Sequence, residues 1–581
     1  MARSESPAEK ASINALMQMK ICLENNEHFV LEAGAGAGKT YSLIKALNYL
    51  VEKRGIDLAR NRQRIACITY TNVAKDEIIA RTDKNPIIFC ETNHVFCWHL
   101  ISRFQKQLRT YVAELPEWEK ILSDEPLKGD ERVDYVLGHR SNKNDVISLH
   151  HDDILKLVIR LMEHEKFRFL LKSEFPYILI DEYQDTEKEW IKTIESHFLR
   201  FEKKPLFGFF GDHWQKIYGD GCGKIDNEKV VVIEKKANFR SAAGIVNCLN
   251  RMRPELPQEV KDPDNIGEVI VYHTNNWNVE RQGGSHWKGD LPQDLSRSAL
   301  NLVQQELSDK GWEISSSDTK ILMLTHRLLA SEQGYSSLTK VFKYTDSYIK
   351  LENRTMKFFV EVLEPVCEEF QNKQYGKMFA LLGRGKPAVS SHTDKQLWSQ
   401  GLEKIIELRN SSTVGDVLDY IVKTERPRLP DAILSQVRKL QDYIDNDKED
   451  PSRDIVELMN LRKVDYREVI SFYKYFNGFS PFQTKHGVKG EEFENVIVVV
   501  GRGWNKYDFG KMLELSEGTP PENKLEFYER NRNLFYVSCS RAKQRLCILF
   551  TQELSADAMN TVENWFGREA VKSIKPRDKV R

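Results

Sequence analysis

The sequence predicts an α/β fold built on parallel sheets, and three observations carry that expectation. Short apolar runs dense in β-branched and aromatic residues recur along the 581 residues. Each run is followed by a turn holding Gly, Thr or Asp and then by a helical pattern, the sequence of a strand-loop-helix unit whose crossover requires parallel pairing. The runs also fall into two groups, which predicts two sheets. The first group is HFVLEA (28–33), RIACIT (64–69), YILIDE (177–182) and LFGFFGD (206–212). The second is VVVIEK (230–235), KILMLTH (320–326), NVIVVVG (495–501) and RLCILF (545–550).

Between the runs, residues 99–172 and 330–480 read mainly as helix and polar loop and look like insertions. The expected units are therefore 1–98 with 173–229, interrupted by a helical insertion at 99–172, and 230–329 with 481–552, interrupted by one at 330–480. Residues 553–581 complete the chain as a C-terminal basic tail, its last sixteen residues carrying six Lys or Arg against two acids.

Composition narrows the function classes. With 40% hydrophobic and 30% charged residues the chain reads as an ordinary globular protein, which excludes disorder and fibrous architectures. The longest apolar run, NVIVVV at 495–500, falls short of the ~18 residues that span a bilayer, so no membrane is expected. The opening MARSESPAEKAS lacks the apolar core of a secretory signal, which points to the cytoplasm. Nine cysteines with no CxxC pair argue against a disulfide framework, a zinc ribbon or an iron–sulfur cluster. Lys and Arg balance Asp and Glu at 86 each, so any nucleic-acid partner must be argued from local residues.

The first chemical motif is Gly34, Ala35, Gly36, Ala37, Gly38, Lys39 and Thr40, which follows a strand and opens a helix. It fits the GxxxxGK[ST] phosphate loop read from Ala33, with Ala in place of the first Gly. Glycines let backbone N–H groups approach an anion, the helix N-terminus adds positive potential, Lys39 reaches the β- and γ-phosphates and Thr40 can ligate Mg²⁺. The second is Asp181-Glu182 at the end of YILIDE, where Asp181 can hold Mg²⁺ and Glu182 is placed to polarise an attacking water. A phosphate loop followed by such a strand implies nucleotide hydrolysis. The run His150-His151-Asp152-Asp153 invites a metal reading.

DEYQD (181–185) and its flanking blocks resemble the UvrD/Rep/PcrA-type helicases of superfamily 1. ITYTNVAKDEI (68–78), TNHVF (92–96), GDHWQKIY (211–218), NFRS (238–241), TKHGVKGEEFENV (484–496) and YVSCSRAK (536–543) follow in family order. The resemblance implies two RecA-like P-loop motor domains, each with a mainly helical insertion, with ATP and Mg²⁺ in the cleft. Carried over by motif, Gln18 would read adenine, Tyr41 and Phe239 would sandwich it, and Glu492 would hold the ribose. Asp181 and Thr40 would hold the metal, Glu182 would be the catalytic base, and Gln215 would sense the γ-phosphate. Arg240 and Arg541 match the arginine fingers. The run His150-His151-Asp152-Asp153 resembles a family stretch that enters the helix ahead of the acidic strand, which implies a structural role.

Tyr70, Asn72, Thr92, His94, Tyr218, Thr484 and His486 fall in blocks that contact the DNA strand, although Tyr70 and Tyr218 end strands and could instead pack. One departure stands out. Asp220 occupies the position where many relatives carry a base-stacking Trp, and the neighbouring Trp214, absent from the usual motif, is the candidate replacement, with core packing as its alternative. The resemblance implies an ATP-dependent helicase or translocase moving 3′ to 5′ on single-stranded or tailed duplex DNA. The chain is short for this family, and about 38 residues after SCSRAK are too few for the nuclease domain some members carry. A second reading is therefore a DNA-sensing regulatory ATPase controlling a partner nuclease. Compact UvrD-like subunits of antiphage systems such as Gabija fit it.

Overall fold

A computed structural model describes residues 5–135, 140–199, 205–216, 221–284, 288–314, 318–323, 333–342, 346–349, 351–382, 391–446, 451–477, 482–484, 491–502 and 507–575. The first sheet has six strands in the order Ile88–Thr92, Ile65–Thr69, Tyr177–Asp181, Leu206–Gly211, His28–Ala33 and Val230–Lys235, every neighbour parallel. Parallel pairing puts all the carboxyl ends on one edge. The phosphate loop after Ala33, the Asp181-Glu182 pair and the turn after Gly211 are thus neighbours, although they lie far apart in sequence.

Local sequence explains the elements that frame this edge. The helix Pro7–Asn25 starts where Ser6 and Glu9 form a reciprocal capping box, with Pro at its first position, and ends at Asn26 in the left-handed region. Its buried face, Ala8, Ala15, Met19, Cys22 and Leu23, leaves Gln18 exposed on the other side. The helix Lys39–Arg60 begins directly at the phosphate loop, capped by Gly38 at φ 73°.

The second sheet has the order Phe482–Thr484, Thr319–Met323, Phe493–Val500, Ala542–Phe550, Glu268–His273 and Val571–Ser573, again parallel throughout. The described residues between 335 and 477 add a helical body with its own core, pinned by the buried Glu364, which accepts hydrogen bonds from Arg409 and from the Tyr466 hydroxyl. Among the described residues no helix is long and apolar enough to cross a membrane. All nine cysteines are free.

Three expectations need correction. Val230–Lys235, grouped above with the second sheet, is the edge strand of the first, paired along its whole length with His28–Ala33. The C-terminal segment is not simply a tail: helix Ala556–Phe566 buries Ala558, Val562, Trp565 and Phe566 in the core of the second sheet, and Val571–Ser573 extends that sheet. The first insertion is not only helical, because Arg132–Tyr135, Val146–Leu149 and Ser141–Lys143 form a three-stranded sheet within it.

Candidate functional site: a nucleotide cleft between the sheets

The phosphate loop turns on Gly36 (φ 72°) and Gly38 (φ 73°), backbone conformations that side chains with a Cβ rarely adopt. At Gly36 a Cβ would also lie 2.7 Å from the Cβ of Arg240 and from Asn238 Oδ1. The loop is strapped from the residues that follow the edge strand. Phe239 N–H donates to the Gly36 carbonyl at 2.9 Å, while Asn238 Nδ2 and Gln258 Nε2 donate to the Ala35 carbonyl at 3.0 and 3.1 Å. Ala33 replaces the motif's first Gly without strain because it is still the last residue of a strand, with no positive φ to satisfy.

Three predicted residues converge on this loop. Lys39 Nζ lies 3.3 Å from Glu182 Oε1 and donates to Gln215 Oε1 at 3.3 Å. Glu182 sits at φ 49° and ψ 44°, a left-handed conformation uncommon outside Gly, Asn and Asp, and Gln184 Nε2 donates to its carboxylate. Such strain is costly and collects at functional sites. Asp181, buried at the strand end, accepts the Glu182 N–H at 3.0 Å. Its carboxylate and the Thr40 hydroxyl at the helix start are the hard oxygen donors that Mg²⁺ takes, so the residues fit the ion.

Gln215 is buried in the turn His213–Gln215, and its Nε2 donates to Asp212 Oδ2 at 2.8 Å. Asp212 also accepts Trp214 N–H at 3.0 Å and pairs with Arg253 at 2.6 Å. Burial alone would raise the Asp212 carboxyl, but Arg253, then Lys39 and His213, hold it below the usual carboxylate range. Glu32, Asp212 and His213 have the spacing of a cation site, yet Arg253 already supplies a positive charge there, 3.8 Å from Glu32 as well.

The opposite wall carries the two arginines. Arg240 Nε donates to Glu492 at 2.8 Å and Nη1 to the Ser540 carbonyl at 3.1 Å. Arg541 is 1% exposed; its Nε and Nη1 donate to the Val537 and Glu491 carbonyls, and its Nη2 has no partner among the described residues. Burial, then the like charge of Arg240, push the Arg541 guanidinium down to about 9, while Glu182 across the cleft pulls the other way. Tyr41 and Phe239, 44% and 36% exposed, leave their rings accessible.

Comparison with known proteins gives the family. Residues 14–129 and 99–227 match the UvrD/REP helicase N-terminal domain, and residues 312–553 match the UvrD-like helicase C-terminal domain. The chain belongs to the UvrD-like helicases. It is thus an ATP-dependent DNA helicase by family, a hydrolase with two RecA-like motor domains. It is similar to the Gabija protein GajB of Bacillus cereus, 23% identical over 97% of this chain and 98% of that protein. It is also similar to the ATP-dependent DNA helicase PcrA of Staphylococcus epidermidis (25% identical) and Staphylococcus aureus (23%), over 42% of this chain and 41% of those proteins.

At the residues whose blocks are expected to contact the strand, the picture is mixed. Tyr70 is 45% exposed at the end of its strand, and Asn72 is exposed at the first turn of helix Asn72–Arg81. Thr92 precedes helix Asn93–Ile101, on which His94 stacks against His151 at 3.2 Å between ring centroids. Burial and the His151 charge push His94 down to about 4, so at neutral pH it offers a neutral ring and no cation. Thr484 is described only as backbone, paired with Met323, while Tyr218, Asp220 and His486 lie outside the described residues.

Trp214 is the clear correction. It is 5% exposed and packs edge-on to Tyr536, with the Arg532 guanidinium 3.8 Å and that of Arg253 5.2 Å from the indole centroid. Asn533 Nδ2 donates to the His213 and Lys216 carbonyls at 3.1 and 3.2 Å, so the Gln215 turn is gripped by helix Leu525–Cys539. The structural reading of His150-His151-Asp152-Asp153 holds: His150 caps helix His151–Met162, and buried Asp153 accepts from Arg140 and the Trp118 indole.

Sequence reasoning missed Arg253 and Lys235. Arg253 is buried against Asp212, and Lys235 donates to the Gly38 carbonyl and the Ser42 hydroxyl. Neither belongs to a family block quoted above. No signal short of the fold could have found them.

Proposed function

We propose that the chain hydrolyses ATP between its two motor domains and uses the cycle to move 3′ to 5′ along single-stranded DNA. The observation that carries this reading is that Lys39 reaches both Glu182 and Gln215 at 3.3 Å, faced by Arg240 and Arg541 from the far wall. Lys39 and the loop N–H groups bind the β- and γ-phosphates, and Tyr41 and Phe239 flank the adenine, with Gln18 and Glu492 at its base and ribose. Thr40 and Asp181 would hold Mg²⁺, which would supply charge neutralisation at the phosphate oxygens. Glu182 accepts the proton of the attacking water, and the two arginines stabilise charge on the transferring phosphoryl group once the cleft closes. The DNA track runs past Tyr70, Asn72, Thr92 and His94, and through Tyr218, Thr484 and His486. The chain works in the cytoplasm.

A second reading has its own support. The similarity to the Gabija protein runs end to end, whereas that to PcrA stops short of half of either chain. On this reading the protein is a DNA-sensing ATPase in antiphage defence, controlling a partner nuclease and unwinding little itself, with the 330–480 insertion as the partner surface. Measuring ATP turnover and strand displacement together on single-stranded, 3′-tailed and 5′-tailed DNA tests both. Displacement on 3′-tailed duplex supports the motor; DNA-stimulated turnover without displacement, with a co-purifying nuclease, supports the sensor. Turnover that ignores DNA refutes both.

A further inference from the structure

Lys235 closes the edge strand of the first sheet, and parallel register sets it beside Ala33, the last residue before the phosphate loop. Its side chain is wholly buried. Nζ donates to the Gly38 carbonyl at 3.1 Å and to Ser42 Oγ at 2.7 Å, and it would lie 3.6 Å from a Cβ placed on Gly38. Both acceptors are neutral. Among the described residues no carboxylate forms an ion pair with it, since the neighbouring Glu234 is paired with Lys236. Burial alone pushes the ammonium down to about 8. The rings of Tyr41 and Phe239 flank it at 5.7 and 5.9 Å, on the side where the base is expected.

A buried ammonium without a counter-ion is costly, and an apolar residue of similar size would make the empty fold more stable. A charge kept at such a cost needs an anion that is present during work and absent from the chain. The loop on which Lys235 rests is the one built to receive phosphates.

We propose that Lys235 is a further cation of the nucleotide site, a fixed charge behind the phosphate loop whose counter-ion is the bound triphosphate. The inference rests on the ATP-site reading above. Lys235 acts through the loop without touching substrate, so it is a positioning and binding charge. Its charge also lies behind Gly38, where the sign of the potential favours a polyanion over an uncharged nucleoside. At an effective dielectric of about 20, unit charges separated by little more than the thickness of a loop are coupled enough to change affinity on the order of thirtyfold.

The test measures binding of ATPγS and of adenosine to the full chain, with a melting curve for each protein. Lys235→Met should weaken ATPγS on the order of thirtyfold, leave adenosine within about twofold, and raise the melting temperature of the nucleotide-free protein. Lys235→Gln, which keeps a donor for Gly38 without the charge, should weaken ATPγS in the same way. Parental affinity in Lys235→Gln would show that the hydrogen bond matters and the charge does not, overturning the proposal. Equal losses for ATPγS and adenosine with a lower melting temperature in Lys235→Met would overturn it in favour of a structural lysine. Unchanged ATPγS binding in both variants would overturn it outright. If the parent fails to bind ATPγS, or binds it as well with Lys39→Ala, the ATP-site reading itself falls.

Discussion

Replacing Arg253 with Met isolates the charge that joins the Gln215 turn to the second motor domain. The Arg253 side chain is 2% exposed and that of Asp212 0%, so the substitution strands a carboxylate where water cannot reach it. Breaking a buried pair in this way costs about 3–5 kcal/mol. Asp212 keeps the Trp214 N–H and Gln215 Nε2 donors, which places the expectation near the lower end, ~3 kcal/mol. At about 2–4 °C per kcal/mol the melting temperature at pH 8 should fall by roughly 6–12 °C. The pH dependence separates charge from packing. In the parent, the Asp212 carboxyl is held below its ordinary value, so its contribution is complete above the unfolded value, about 3.9, and is lost only as pH falls toward the folded one. In Arg253→Met, burial prevails and the folded value rises. An acid raised in this way costs stability at high pH, and the penalty shrinks as pH falls toward the unfolded value. Melting curves at pH 8, 7, 6 and 5 should therefore show the gap between parent and variant closing on acidification. A gap of constant size would refute the argument and leave Arg253 as a packing residue above the Trp214 ring.

Other substitutions probe the proposed roles. Glu182→Gln should keep ATP binding while DNA-stimulated hydrolysis, read by phosphate release, stalls, because only the proton acceptor is lost; parental turnover would show another base. Arg240→Ala and Arg541→Ala should leave nucleotide affinity within about tenfold, ~1.4 kcal/mol, and lower turnover far more; equal losses in steady-state kinetics and equilibrium binding would make them ground-state ligands. Trp214→Ala should cost about 3–5 kcal/mol of stability, as for a large buried aromatic. Oligonucleotide affinity per folded molecule should stay unchanged, and a selective loss of that affinity would return the ring to the strand.

The sheets were legible in sequence because each strand is a short apolar run with its chemistry at the carboxyl end. HFVLEA is the strand His28–Ala33 residue for residue, and YILID the strand Tyr177–Asp181. What periodicity encodes is the strand, not its neighbour. VVVIEK has the same apolar character as its group, and only the pairing of His28–Ala33 with Val230–Lys235 shows which sheet it closes. The charges of the last sixteen residues likewise drew the whole C-terminal segment into a tail and hid the apolar face of Ala556–Phe566 just before them. Single residues were harder still. Trp214 has no periodic context, and its burial depends on Arg532 and Tyr536 from a helix more than three hundred positions away. Lys235 is simply the last residue of an apolar run in sequence, and only its bonds to Gly38 and Ser42 single it out.

On the proposed reading, the ion pairs of the cleft show what a nucleotide must compete with. Two carboxylates assigned to nucleotide, Glu182 and Glu492, are each paired with a cation assigned to its phosphates, Lys39 and Arg240 respectively. Glu182 cannot accept a water proton efficiently while its charge is shared with Lys39 at 3.3 Å, and Glu492 cannot accept a ribose hydroxyl freely while it receives Arg240 at 2.8 Å. A triphosphate offers Lys39 and Arg240 denser negative charge than either carboxylate, so its arrival exchanges partners on both walls at once. The exchange releases the base and commits the arginine in the same event. Among the described residues Arg541 pairs with no carboxylate that it would have to give up: its Nη2 is unpartnered there, and its charge is already disfavoured by burial and by Arg240. It therefore gains most from a new anion. A substrate at this cleft must therefore carry enough charge to draw Lys39 and Arg240 away from their carboxylates.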